Sequence, residues 1–203
     1  MVPGLDPSTP PAPAALVRLR PRPVDLPPVV HRADVGPLAW AGMLADGALV
    51  PLRGDVARTA GTAETPAVRA AAVARLVPPR GVVGRTAAVW VHTGGPPPRR
   101  VDVLVASGAR RPDPHPDRRV AEAVLGPEDV VALGPVRVTT PLRTALDVAR
   151  WETSASAQEA LARLASAGVD LVAALRALHR FEGHRGVRSG RAALVAACAV
   201  RRG

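Results

Sequence analysis

The segment "VRVTTPLRTALDVARW", Val136–Trp151, reads as a strand that runs straight into a helix. Thr140 followed by Pro141 supplies an N-cap and a first-turn proline. Within the helix, Arg143 and Asp147 stand four residues apart, with Arg150 near the same stripe. Leu142, Ala145, Leu146 and Ala149 form an apolar stripe expected to dock on a sheet. An arginine and a carboxylate spaced in this way fit three roles: catalysis, contact with an acidic partner, or pinning of the helix. No second titratable group lies nearby in sequence to support catalysis. The expectation is a clasp on the helix's outer face, worth about 0.3–0.5 kcal/mol as an exposed i,i+4 pair.

Upstream, "RRVDVLVAS" alternates Val101, Val103 and Val105 in strand fashion. "RRVAEAVL" and "DVVAL" are further strand candidates, and Gly126 and Gly134-Pro135 punctuate them. Together with Val136–Thr140 they suit an antiparallel or mixed sheet. Before them, Thr65-Pro66 opens "PAVRAAAVARLV", Pro78-Pro79 stops it, and "GRTAAVWVH" is a short helix closed by "TGGPPP". Downstream the chain is helical: Ser156 with Glu159 is a capping box, Asp170 caps "LVAALRALHRF", and "VRSGRAALVAACAV" closes the chain.

Near the start, "PLAWAGMLAD" is a short helix that runs to Gly47. "ALVPL" and "VARTA" form a hairpin around Arg53-Gly54-Asp55. Helix then two-stranded ribbon is the second half of a winged helix. Nine prolines fall within the first 28 residues, so residues 1–34 are expected to be an extended, flexible, proline- and arginine-rich tail. Arg18, Arg20 and Arg22 alternate along it. The fold class is therefore α+β, in three parts: the tail, a reduced winged-helix unit over 35–61, and an α+β domain over 62–203.

Composition narrows the function. The net charge of +10 suggests nucleic acid or an anionic surface. Lys, Ile, Asn and Tyr are absent and Phe occurs once, the signature of a GC-rich genome that writes its basic residues as Arg, so part of the basicity is a codon effect. The lone Cys198 excludes a disulfide framework and a cysteine metal site. His31, His92, His115, His179 and His184 are scattered without metal-ligand spacing, and His115 in "PDPHPD" reads as an exposed turn. There is no nucleotide-binding glycine motif and no nucleophile elbow. Without lysine, Walker-type chemistry, Schiff bases and nuclease sites of the D…(D/E)xK kind are excluded. No cofactor, metal, membrane span or small-molecule substrate is expected. The proline-broken N-terminus is not a signal peptide, which points to the cytoplasm.

"DVVALGPVRVTTPLRTALDVAR" resembles the signature segment of AbiEi-type antitoxins in their actinobacterial form: a strand, Thr-[Ser/Thr]-Pro-x-Arg-Thr, then Asp-[Leu/Val]-Ala-Arg. "DGALVPLRGDVARTA" is similar to the family's wing, "GVVGRTAAVWVHTG" to its Thr-Ala-Ala helix, "RRVDVLVASGARR" to its central strand and "GHRGVRSGRAALVAA" to its closing helix. The resemblance spans about Val35 to Val200, and its strength is the order of five segments. It implies an antitoxin of a type IV toxin–antitoxin system. Such a protein represses its own operon through an N-terminal winged helix and opposes a nucleotidyltransferase-like toxin. Thr140, Pro141, Arg143 and Asp147 are then structural residues of the motif. Related chains continue into a Vsr-like nuclease domain, whereas this one ends at Gly203, so no nuclease activity is expected.

The DNA-contact candidates are Arg32, Trp40, Arg53 and Arg58. Trp40 also fits an apolar cluster with Met43 and Leu44. The helix in the recognition position carries no basic residue, although base and phosphate contacts call for such donors. The rival expectation is a non-enzymatic protein-interaction module that has lost DNA binding. The placement of the hairpin arginines relative to those of "GARR" and "DRRV" separates the two, because a shared DNA surface needs them on one face.

Overall fold

The structure, a computed structural model, describes residues 26–200. The alternating arginines Arg18, Arg20 and Arg22 lie outside the described residues. The fold is α+β, with a small three-stranded sheet, a five-stranded sheet and a helical layer.

The first strand, β1 (Val29–His31), lies where the sequence suggested tail. It is held by register with β3 (Val56–Thr59), Val29 opposite Arg58 and His31 opposite Val56. Three residues are too few for a periodic signal, and β1 exists because its partner does. Helices α1 (Arg32–Val35) and α2 (Pro37–Ala45) follow, then β2 (Leu49–Arg53). The sheet is antiparallel in the order β1-β3-β2. Pro51 is accommodated because β2 is an edge strand, and the register shifts between Pro51 and Arg53. Gly54 takes φ 49° at the hairpin tip, a turn geometry that suits glycine. Val30, Trp40, Leu49 and Ala57 form the small core of this unit.

Thr65 caps α3 (Pro66–Val73) by accepting from the Val68 N–H at 3.3 Å. The larger sheet is mixed, with β6 (Arg118–Ala123), β5 (Val101–Ala106), β4 (Val82–Val83), β8 (Val136–Thr139) and β7 (Val130–Leu133) side by side in that order. Strand β5 runs parallel to β6 and antiparallel to β4. Strand β8 is parallel to β4 and antiparallel to β7. The two-residue β4 joins the halves of the sheet, and it is too short to register as alternation. In β5 all five residues from Val101 to Val105 are buried, so the expected alternation describes only one face. On the other face Asp102 is kept satisfied by the Thr86 hydroxyl at 2.7 Å and the Arg119 Nε at 2.6 Å.

Val101, Val103 and Val105 pack in one cluster with Val73, Trp90 and Val138, and with Leu52 and Val56 of the hairpin. The hairpin is thus built into the main core. A second core lies among α4 (Arg85–Thr93), α5 (Pro141–Trp151), α6 (Ser154–Ser166), α7 (Leu171–Ala177) and α8 (Val187–Val200). Leu146, Leu161, Leu164, Leu178 and Leu194 are its largest fully enclosed side chains. Asp170 caps α7 as expected, accepting from Val172 and Ala173 N–H at 2.9 and 3.0 Å. For α6 the expected Ser156 box is displaced: the cap is Thr153, which accepts from the Ser156 N–H, and the helix begins at Ser154. No helix among the described residues is long and apolar enough to cross a membrane.

Candidate functional site

Two regions collect the residues that carry charge. The first surrounds the hairpin tip. Arg53 donates to the Pro98 and Arg99 carbonyls at 3.2 and 2.9 Å, fastening the tip to the loop that precedes β5. Arg53, Arg75, Arg99, His31 and His115 line an open cleft of about 760 Å³, together with Asp55 and Asp117. Burial lowers the His31 pKa, and the nearby Arg75 pushes the same way against Asp34. Arg75 itself pairs with Asp34 at 2.7 Å, and Arg32 with Asp55 at 3.3 Å, both at the surface. Arg58 turns its guanidinium inward along its own strand end, donating to the Thr62 carbonyl at 2.7 Å.

Of the four DNA-contact candidates, Arg53 therefore lines the cleft and Arg32 stands beside it through Asp55. Arg58 is engaged in holding the turn after β3. Trp40 is 8% exposed in the small core, so its ring is a packing element and offers no face to a base. The arginines near β6 divide. Arg118 donates to the Leu76 carbonyl beside the cleft, whereas Arg111 pairs with Glu122 and Arg119 with Asp102. These arginines do not form one face with those of the hairpin, and a shared basic surface is confined to the hairpin cleft. The exposed face of α2 presents Leu38, Ala39, Ala41, Gly42 and Ala45, none of which carries a side-chain hydrogen-bonding group.

The second region surrounds α5. The Thr140 hydroxyl accepts from the Arg143 N–H at 3.4 Å and Pro141 is the first helical residue, as the sequence indicated. The Arg143–Asp147 pair corrects the expectation of an outer-face clasp. Arg143 is 4% and Asp147 2% exposed, because α4, α6, α7 and α8 all pack around this helix. Arg143 Nε donates to both Asp147 oxygens at 3.0 Å, and its Nη1 donates to Asp129 Oδ2 at 2.7 Å and the Val124 carbonyl at 3.0 Å. Asp129, itself 3% exposed, also accepts from Arg180 and from the Gly126 N–H. Arg180 continues to Glu128 at 2.8 Å. Enclosure pushes the Asp147 carboxyl above its ordinary range, against the opposing pull of Arg143, Arg150 and Arg85.

This chain of ion pairs ties the start of α5 to the turn before β7 and to the turn after α7. Asp129 and Arg180 were not legible as members, since they lie 14 and 51 positions from their partners Arg143 and Asp129. Their one local signal is that Asp129 sits in the turn after Gly126, which its side chain caps. Glycine shapes the region as well. Gly186 has φ 82°, and a Cβ there would lie 2.5 Å from the Arg150 carbonyl oxygen, so the approach of α8 to α5 requires its absence. Neither Arg143 nor Asp147 is placed beside a nucleophile, and their arrangement is that of a satisfied buried ion pair.

No protein-family model matches the chain, and no curated protein does. Three chains of solved structures match. One of them, the RV2827C protein from Mycobacterium tuberculosis, is 16% identical over 86% of this chain and 77% of its own, with a TM-score of 0.40.

Proposed function

We propose that the chain is a non-enzymatic, cytoplasmic, antitoxin-type transcriptional regulator that binds its own promoter DNA through the β1–β3 unit, in functional opposition to a nucleotidyltransferase-like toxin. The reading rests on the resemblance of the five ordered segments. The observation that carries it is the succession β1, α1, α2, β2, β3 in the sheet order β1-β3-β2, the strand arrangement of a winged helix, with Arg53 near the wing tip in the cleft it shares with Arg75 and Arg99. The chemistry of α2 sets the character of such binding. Its exposed side chains are aliphatic, able to touch a thymine methyl and little else, so affinity comes from arginine–phosphate contacts and discrimination between sequences is shallow.

Fluorescence anisotropy on the chain's own upstream region tests the reading. Affinity should fall steeply with salt, the logarithmic slope being about 0.9 per phosphate neutralised. Arg99→Glu, at an exposed position, should weaken binding and flatten that slope. Absence of binding, or binding indifferent to salt, rejects the proposal. The bare, aliphatic outer face of α2, with Leu38 88% exposed, favours the second reading: a protein-interaction module without DNA affinity.

A further inference from the structure

Arg85 of α4 and Arg150 of α5 make no ion pair among the described residues, although each has charged neighbours. Arg150 is 8% exposed; its Nη2 donates to the Arg185 carbonyl at 3.0 Å, and its enclosed Nε finds no acceptor among the described residues. The Nε of Arg85 is likewise enclosed and unmatched among the described residues, as are those of Arg58 and Arg118 elsewhere and one Glu152 oxygen. Buried donors of this kind are rare in folded proteins and call for a physical reason. Both side chains line one cleft of about 500 Å³, bounded by Leu104, Val124, Trp151 and Phe181 and floored by the Arg143–Asp147–Asp129 chain. Both guanidiniums also approach Trp151, their central carbons 5.5 and 5.2 Å from its ring centroid. Arg150 lies 4.1 Å from the centroid of Phe181.

The backbone supplies an independent observation. Arg85 has φ 47°, and it is the one non-glycine residue with positive φ among the described residues. Left-handed backbone is unfavourable for an arginine, and glycine would adopt it freely. An arginine occupies this strained position, and its side chain lines the cleft. Strained positions of this kind cluster at ligand clamps and active sites.

The carboxylates around the cleft are already engaged. Asp147 is taken by Arg143, Asp129 by Arg143 and Arg180, Glu128 by Arg180, Glu122 by Arg111, and Glu152, which feels the charge of Arg85, by Arg119. Arg85 and Arg150 are the lining guanidiniums without an ion pair among the described residues, and both lie beside aromatic surface. Such a pair matches an oxyanion that accepts several hydrogen bonds at once, and phosphate fits guanidinium forks in this way. The volume is that of a small organic ligand, and Trp151, 40% exposed, adds aromatic surface to its lining.

We infer that the cleft between α4, the end of α5 and the Phe181 turn binds a phosphate group, held by Arg85 and Arg150, of a nucleotide-like molecule whose ring lies against Trp151. This site is distinct from the hairpin cleft and its occupancy does not depend on DNA binding there.

The test is a titration of the full chain, followed by calorimetry and by tryptophan fluorescence, with three probes at constant ionic strength: inorganic phosphate, adenosine monophosphate and a short single-stranded oligodeoxynucleotide. Trp40 and Trp90 are buried, so a ligand-dependent change should come from Trp151 and vanish in Trp151→Phe. Arg85→Gly is the decisive variant. It removes the guanidinium and relieves the backbone, so the melting temperature should hold or rise while affinity falls at least about tenfold. Arg150→Lys keeps the charge but removes the planar guanidinium, and it should weaken binding by a similar factor with the fold retained.

Tighter binding of adenosine monophosphate than of phosphate supports the site and its ring contact. Saturable binding of the oligonucleotide, abolished by Arg85→Gly and competed by phosphate, also supports the phosphate site and assigns the group to nucleic acid. No binding of any probe up to about 10 mM, or binding that both substitutions leave unchanged, overturns the inference. Arg99→Glu should leave phosphate binding intact, which keeps failure here separable from failure of the proposed DNA contact.

Discussion

Replacing Asp147 with alanine distinguishes a buried ion-pair chain from a surface clasp. The side chain is 3% exposed, and both its oxygens accept from Arg143 Nε at 3.0 Å. Removing one partner of a buried pair costs about 3–5 kcal/mol, because the other charge stays buried without its counterpart. Arg143 keeps Asp129 on its Nη1, so the loss falls at the low end, about 3 kcal/mol. In a chain of 203 residues each kcal/mol lowers the melting temperature by about 2–4 °C, so a fall of about 6–12 °C is expected. Thermal and urea unfolding by circular dichroism measure it. In a double-mutant cycle Arg143→Met should cost more than Asp147→Ala, since it leaves both Asp129 and Asp147 short of a partner. The two losses should add to more than that of the double variant, with a coupling of at least about 1 kcal/mol. A fall of under about 2 °C for Asp147→Ala, with additive losses, would refute the reasoning and return the pair to the surface value.

Other outcomes follow from the same structure. Burial, then repulsion by Asp102, raises the Glu152 carboxyl against the opposing Arg119 and Arg85, so the folded state holds that proton more tightly than the unfolded one. The associated stability is present below the ordinary value of 4.5 and is lost as pH rises through the raised folded value. Glu152→Gln should therefore melt higher than the parent at neutral pH and match it below pH 4.5, and a melting series across pH reads this directly. Trp40→Ala empties the small core and should cost about 3–5 kcal/mol, opening residues 29–59 to limited proteolysis. A stable Trp40→Ala variant with reduced DNA affinity would instead make Trp40 a nucleic-acid contact.

The elements legible in the sequence are those whose cause lies within a few residues. Thr65-Pro66 and Thr140-Pro141 start helices because a side-chain oxygen and a fixed φ act on the turn that follows. Asp170 does the same for α7, and Gly54 closes the hairpin because its own backbone permits φ 49°. Ser156 misled because Thr153, three residues earlier, offers the same chemistry, and packing selected between them. Strands β1 and β4, three and two residues long, have no period to read, and they exist through pairing with β3, β5 and β8.

The same division governs the sites. The four-residue spacing of Arg143 and Asp147 put them on one helix face, and they do pair. Nothing in that spacing states whether the face meets water. Tertiary structure decided it by wrapping four helices around α5 and delivering Asp129 and Arg180 from other elements. Likewise Arg85 and Arg150 are 65 positions apart along the chain, and only packing brings both to Trp151. Caps, turns and helix stripes depend on torsions and neighbours within a turn or two, which a sequence carries in full. Burial and ion-pair partnership depend on what the rest of the chain places nearby, and that became definite only when the sheet and the helical layer closed over α5.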